Sequence, residues 1–197
     1  MTAIRQTAIR QERLADVEAR ELLLDEAFGD TRTRKSSERL REDRLPADGL
    51  SFVAAEGKRV IGTARLWNIS CGAGKSALLL GPVAVAGDCR NRGIGAALVR
   101  RAVEAARKLG HAAIVLVGDA PYYGRFGFTA AKTGALWMPG PFESHRLLAL
   151  ELAPGALDGA RGLVGPTGRL APKPELASLL AQDRRAGRVR RQRSQAA

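Results

Sequence analysis

Apolar residues recur at helical spacing over residues 16–28, where Val17, Leu22, Leu23, Leu24, Ala27 and Phe28 are closed by Gly29, so the spacing predicts a helix. Residues 9–12 precede it as a short strand, and Ser36 or Ser37 stands as the cap of a second short helix through Arg44, broken by Pro46, Asp48 and Gly49. Residues 50–55, 60–70 and 77–85 are β-rich runs joined by Glu56, Gly57 and Lys58 and then by a glycine-rich connection, which predicts three antiparallel strands. The strongest helix covers residues 94–109, with Ile94, Leu98, Ala102, Ala105 and Leu109 on one face and Gly110 as its stop. A continuous apolar run over residues 112–117 reads as a buried strand, and Trp137 with residues 147–152 reads as a closing pair of strands. The resulting order, β-α-α-β-β-β-α-β-short α-β-β, predicts a mixed α/β sheet flanked by helices. Beyond Leu152, Pro154, Gly155, Gly159, Gly162, Gly165, Pro166, Gly168, Pro172 and Pro174 recur too often for further sheet. A domain of residues 1–152 and a C-terminal extension of residues 153–197 are therefore expected, with a turn or two of amphipathic helix over residues 175–183.

Composition adds the class of molecule. The 197 residues are 45% hydrophobic and 26% charged, and no apolar run approaches the roughly 18 residues of a membrane helix, so a soluble globular protein is expected. The opening residues are charged throughout and lack an apolar core for export, which points to the cytoplasm. Cys71 and Cys89 lie far apart with only His111 and His145 to assist, which supports neither a disulfide framework nor a metal site. Net charge is +12, and residues 153–197 hold nine basic against three acidic residues, or half of that excess. Arg184, Arg185, Arg188, Arg190, Arg191 and Arg193 form a basic run that offers weak contact with nucleic acid or an acidic partner, beside the plainer reading of a solvated, partly disordered tail.

Three glycine-rich segments are candidates for a phosphate site. Gly72, Gly74, Lys75 and Ser76 end like a P-loop, but Ile69 stands where its first glycine belongs and a strand follows where a helix is required; a hairpin loop is the simpler reading. Gly93-Ile94-Gly95 with Asp119 partly imitates a dinucleotide fingerprint, yet Leu98 replaces the third glycine and the strands before it read as antiparallel. The third reading uses the whole segment. A strand ending in Val83, Ala84 and Val85 runs into Arg90, Asn91, Arg92, Gly93, Ile94, Gly95 and Ala96, so helix N-terminal amides face outward beside arginines. Glycines let a pyrophosphate approach the backbone, and arginines reach its outer oxygens.

Arg90-Asn91-Arg92-Gly93-Ile94-Gly95 matches the Arg/Gln-x-x-Gly-x-Gly/Ala motif, and Tyr122-Tyr123-Gly124-Arg125-Phe126-Gly127-Phe128 follows the second apolar strand. With these features the chain resembles the GCN5-related N-acetyltransferases (GNAT family), specifically its YhbS-like branch, over residues 9–152 in element order. The resemblance implies a splayed sheet, with acetyl-CoA as cosubstrate and no metal. Its pantetheine would run along Val83, Ala84 and Val85, and its pyrophosphate would sit on residues 90–96. Direct transfer to a primary amine is implied, with a backbone N–H near Val85 for the oxyanion and Tyr123 assisting the leaving thiolate. Asp119, Glu143 and His145 are the candidates for a general base, since residues 78–85 contain no acid. Family members often have Asn after the second parallel strand, where this chain has Gly118 and Asp119. The alternative function is a non-catalytic acyl-CoA-binding module whose basic tail docks on a polyanion or a protein.

Overall fold

The computed structural model describes residues 7–29, 32, 35–72 and 74–172. Its elements are β1 (Ala8–Gln11), α1 (Val17–Phe28), β2 (Ser51–Glu56), β3 (Arg59–Cys71), β4 (Ser76–Val85), α2 (Ile94–Lys108), β5 (Ala113–Val117), α3 (Ala120–Gly124), β6 (Leu136–Trp137), β7 (Leu147–Glu151) and β8 (Gly162–Pro166). The sheet runs β1-β2-β3-β4-β5-β7, with every pair on that path antiparallel except β4 and β5. The three expected antiparallel strands are β2, β3 and β4. The P-loop-like segment is the hairpin between β3 and β4, where the Cys71 N–H donates to the Lys75 carbonyl at 2.7 Å.

One face of the sheet packs under α1 and α2. Ile94, Leu98, Val99, Ala102 and Ala106 of α2 meet Phe52, Ile61, Leu78 and Ile114 in one apolar cluster. Each fully buried large side chain contributes about 1.5–3 kcal/mol over its exposed state, so this face holds α2 in place. Leu109, expected on the same stripe, is 55% exposed because the backbone has already left the helix at this C-cap. The opposite face buries Leu40, Trp67, Ile69, Leu79, Val115, Leu147 and Val164. Both cysteines are buried and free, and burial pushes the Cys71 thiol up to about 11.

Three expectations are corrected. Residues 36–44 form successive tight turns rather than a helix, with Glu38, Arg41 and Arg44 each donating to the carbonyl three residues back. Leu40 is the only apolar residue there, so there is no stripe for a helix to bury. Trp137 does not pair with the strand at Leu147–Glu151; β6 pairs in parallel with β8, while β7 pairs with β5. The sheet also continues past Leu152. The strand β8 pairs with Ile69, Ser70 and Cys71 on the edge of β3 that β2 has left free, and it buries Val164 completely. Glycines at 162 and 165 bracket an apolar pair that is enough for one short strand. The segment over residues 175–183 and the basic run after it lie outside the described residues.

Candidate active site

The two parallel strands touch only at Leu78 with Ile114 and Leu79 with Val115, then diverge. The cause lies in β4, where Gly81 and Pro82 are both accommodated opposite Arg65 as a bulge between the Leu66–Leu80 and Ala64–Val83 pairs. A bulge bends its strand and interrupts pairing. The indole N–H of Trp67 donates to the Gly81 carbonyl at 2.8 Å and fixes the bulge.

Past the bulge, register decides which backbone groups face the opening. The Ala86 N–H donates to the Ile61 carbonyl at 2.9 Å, so Ala84, two residues earlier, also spends its groups on β3. Val83 and Val85 therefore point theirs toward the gap. The expectation that Val83, Ala84 and Val85 all offer backbone groups is corrected at Ala84.

At the end of β4 the chain turns through Gly87–Cys89 and reaches α2. Asn91 (φ 63°) and Gly93 (φ 76°) take left-handed conformations, and Gly93 is the N-cap of α2. Residues 90–93 are exposed, so the first-turn amides of α2 face solvent beside the opening. Of the two expected arginines, Arg90 borders a small recess with Glu26, Val85 and Gly87. The Arg92 guanidinium is bound instead by Glu56 and lies 3.4 Å from Thr7 Oγ1 and from Cys89 Sγ. At the start of α2 Arg92 therefore presents its backbone rather than its side chain. A Cβ on Gly95 would lie 3.1 Å from the Tyr122 hydroxyl, which places that hydroxyl beside the start of α2, a position the sequence pattern did not indicate.

The gap opens into a cleft of about 250 Å³ lined by Leu79, Leu80, Gly81, Pro82 and Val83 on one side and by Val117, Gly118, Asp119 and Tyr123 on the other. Tyr123 belongs to α3 and packs on Phe128 (6.0 Å between ring centres) and Tyr122 (4.9 Å). Burial, and then the neighbouring Tyr122, push its phenol up to about 12. Of the candidate bases, only Asp119 lines the cleft, and its carboxylate caps α3 by accepting the Tyr122 N–H at 3.2 Å. Glu143 and His145 lie 3.4 Å apart on the surface, with side chains 62% and 75% exposed, and do not line the cleft. Arg32, Lys35, Arg41 and Arg146, with Phe28 and Ser37, complete the described lining. No sequence signal marks the four cations, because three come from the patternless turns before β2 and the fourth from the turn before β7.

Among the described residues no group of three His, Cys, Asp or Glu side chains could hold a metal ion, and no helix is long and apolar enough to cross a membrane.

The model of the acetyltransferase (GNAT) family matches residues 17–128. The uncharacterized N-acetyltransferase YhbS of Escherichia coli (strain K12) is 31% identical over 157 residues, 79% of this chain and 93% of that protein. A crystal structure of the E. coli GNAT protein YhbS in complex with CoA aligns with a TM-score of 0.71 and 29% identity, over 85% of this chain and 93% of that one. A GNAT acetyltransferase from Brucella melitensis in complex with acetyl-CoA aligns with a TM-score of 0.60 and 27% identity, over 86% of this chain and 97% of that one.

Proposed function

Because the chain belongs to the GNAT acetyltransferase family, we propose that it transfers the acetyl group of acetyl-CoA directly to a primary amine bound in the cleft beside Tyr123. What supports this reading is the order of features along β4: the exposed first turn of α2, the outward-facing backbone of Val85 and Val83, and the cleft between β4 and β5 that Val83 borders. The exposed amides and Gly95 receive the pyrophosphate, as the fold of the CoA-bound and acetyl-CoA-bound relatives suggests. Pantetheine then follows the open edge of β4, an extended chain replacing the missing strand.

Acetyl-CoA supplies a thioester whose carbonyl carbon is open to attack. The Val85 N–H faces the gap and offers hydrogen-bond stabilisation where negative charge develops on the thioester oxygen. As the C–N bond forms and the C–S bond breaks, the Tyr123 hydroxyl donates toward the departing sulfur. With its phenol at about 12 and a thiol near 8.5, full proton transfer is uphill by roughly 5 kcal/mol. Tyr123 thus serves as a hydrogen-bond donor, and the thiolate takes its proton from water. The amine releases its own proton to solvent; Asp119, the candidate base that lines the cleft, has one carboxylate oxygen engaged in capping α3.

That occupied carboxylate is the observation favouring the second reading, an acyl-CoA-binding module without turnover. The deciding experiment incubates the full-length protein with acetyl-CoA and panels of amines, with free CoA followed by thiol titration and acetylated amine by mass spectrometry. Amine-dependent CoA release with matching acetylated product is expected. Binding of acetyl-CoA without product from any panel would favour the module.

A further inference from the structure

We propose that the cleft selects a small amine that also carries an anionic group, a carboxylate or a phosphate, held by Arg41 and Lys35; this rests on the acetyl-transfer reading above. Among the described residues, four cationic side chains, Arg32, Lys35, Arg41 and Arg146, line the cleft, and Asp119 is the one acid. Carboxylates outside the lining offset part of this charge. Glu21 and Asp25 pair with Arg32 at 2.5 and 2.7 Å, Glu38 pairs with Arg41 at 2.6 Å, and Glu143 stands 3.7 Å from Arg146. Lys35 instead lies over the ring of Phe28, 4.4 Å from its centre.

Arg41 is the most informative of the four. Its side chain is only 6% exposed, yet it borders the cleft, and its Nε is buried with no hydrogen-bond partner among the described residues. A buried N–H left unpaired is costly, more so on a charged group, and an anion seated in the cleft against the Arg41 guanidinium lowers the cost of holding that charge there. Lys35 is depressed below its ordinary value by burial and then by the Arg41 and Arg146 charges, as expected where the local potential is positive.

These cations are separate from the pyrophosphate cradle, because none of residues 90–96 lines the cleft. They answer a second negative charge. The volume lies just below the usual 300–1,000 Å³ range of small-molecule sites, which suits a compact acceptor. A positive field repels a plain alkylammonium, whereas an attached anion offsets the repulsion and leaves the field to lower the pKa of the amine. The cations thereby supply part of what a general base would, in a cleft whose one described acid is a helix cap.

The test is calorimetry on the full-length protein saturated with CoA, titrated with two matched pairs: β-alanine against β-alaninamide, and phosphoethanolamine against ethanolamine. At least one anionic member should bind about ten- to hundredfold more tightly than its neutral partner, and the better pair tells carboxylate from phosphate. Lys35→Ala should reduce that ratio several-fold, and Arg41→Lys should reduce it without removing the positive charge. Equal or absent binding of anionic and neutral members, or a ratio unchanged in both variants, overturns the inference. The heat of CoA binding, read first in the same cell, keeps the two failures apart: without it the transferase reading falls, and with it only the anion preference does.

Discussion

The ring of Tyr123 lies directly against the α carbon of Gly118, where an added Cβ would come within 2.3 Å of Cε2 and 2.7 Å of Cδ2. Any side chain at this position, which follows the second parallel strand, would need the space that the ring occupies. Gly118→Ala should force the ring out of place, destabilise the protein by about 1–3 kcal/mol and lower kcat together with it. Urea unfolding and steady-state kinetics check both. A variant with wild-type stability would mean that the ring moves without cost.

Tyr123→Phe keeps the ring over Gly118 and removes only the hydroxyl. It should lower kcat by about tenfold or more with little change in acetyl-CoA affinity. A phenol at about 12 stays protonated through neutral and mildly alkaline pH, so the wild-type kcat profile should show no loss from this group below about pH 10. The sign for stability follows. The folded value is raised above the ordinary 10, so the contribution is fully present below pH 10 and is lost as pH rises toward 12. An alkaline unfolding series of wild type and Tyr123→Phe reads it.

Acetyl-CoA should raise the melting temperature, since a ligand at a hundredfold excess over Kd adds about 2.7 kcal/mol. Gly95→Trp should remove the shift, because a side chain there meets the Tyr122 hydroxyl and covers the amides of α2. Thermal denaturation with and without ligand distinguishes a blocked cradle from a misfolded chain.

Asp16 joins the first strand to the first helix by accepting from the Arg10 guanidinium at 2.6 and 2.8 Å and from the Arg13 N–H at 2.7 Å. The Arg10 hydrogen bonds are the main reason its carboxyl is lowered to about 2. A lowered folded value means stability that is present above the ordinary 3.8 and lost as pH falls through 2. Asp16→Asn should therefore be less stable than wild type at pH 7, with the difference closing between pH 4 and 2 in denaturant titrations.

Truncation after Asp183 removes the arginine run and keeps every described residue, those of the proposed cradle and of the cleft included. If those arginines bind polyanions, RNA affinity should fall steeply with salt in the full-length protein and vanish in the truncated one. Acetyl-CoA affinity should be equal in both. Titrations at two salt concentrations measure this.

The backbone of the proposed cradle was legible in the sequence because it is local: a left-handed glycine, a helix start and a preceding strand are all encoded within about a dozen residues. The central helix and the antiparallel strands were legible through periodicity. Register was not, so the difference between Ala84 and its neighbours appears only once Ala86 is seen to bond Ile61. The short strand near Val164 was hidden by its glycines, and the turns carrying Lys35 and Arg41 have no period at all. Their place in the cleft is set by long-range contacts such as the antiparallel bridge between Arg44 and Leu170.

The length of β3, thirteen residues with β2 on the first half of one edge and β8 on the second, makes the chain past Leu152 a guard against self-association. A protein ended at Leu152 would bare the N–H and C=O row of Ile69, Ser70 and Cys71 and uncover the apolar side chains that Leu157, Ala160 and Val164 now seal. An open, apolar strand edge is a template for another copy of itself. Shortening the protein at that point would accordingly be felt first as polymerisation from the far end of the sheet, while the chemistry at the other end of β4 was still intact.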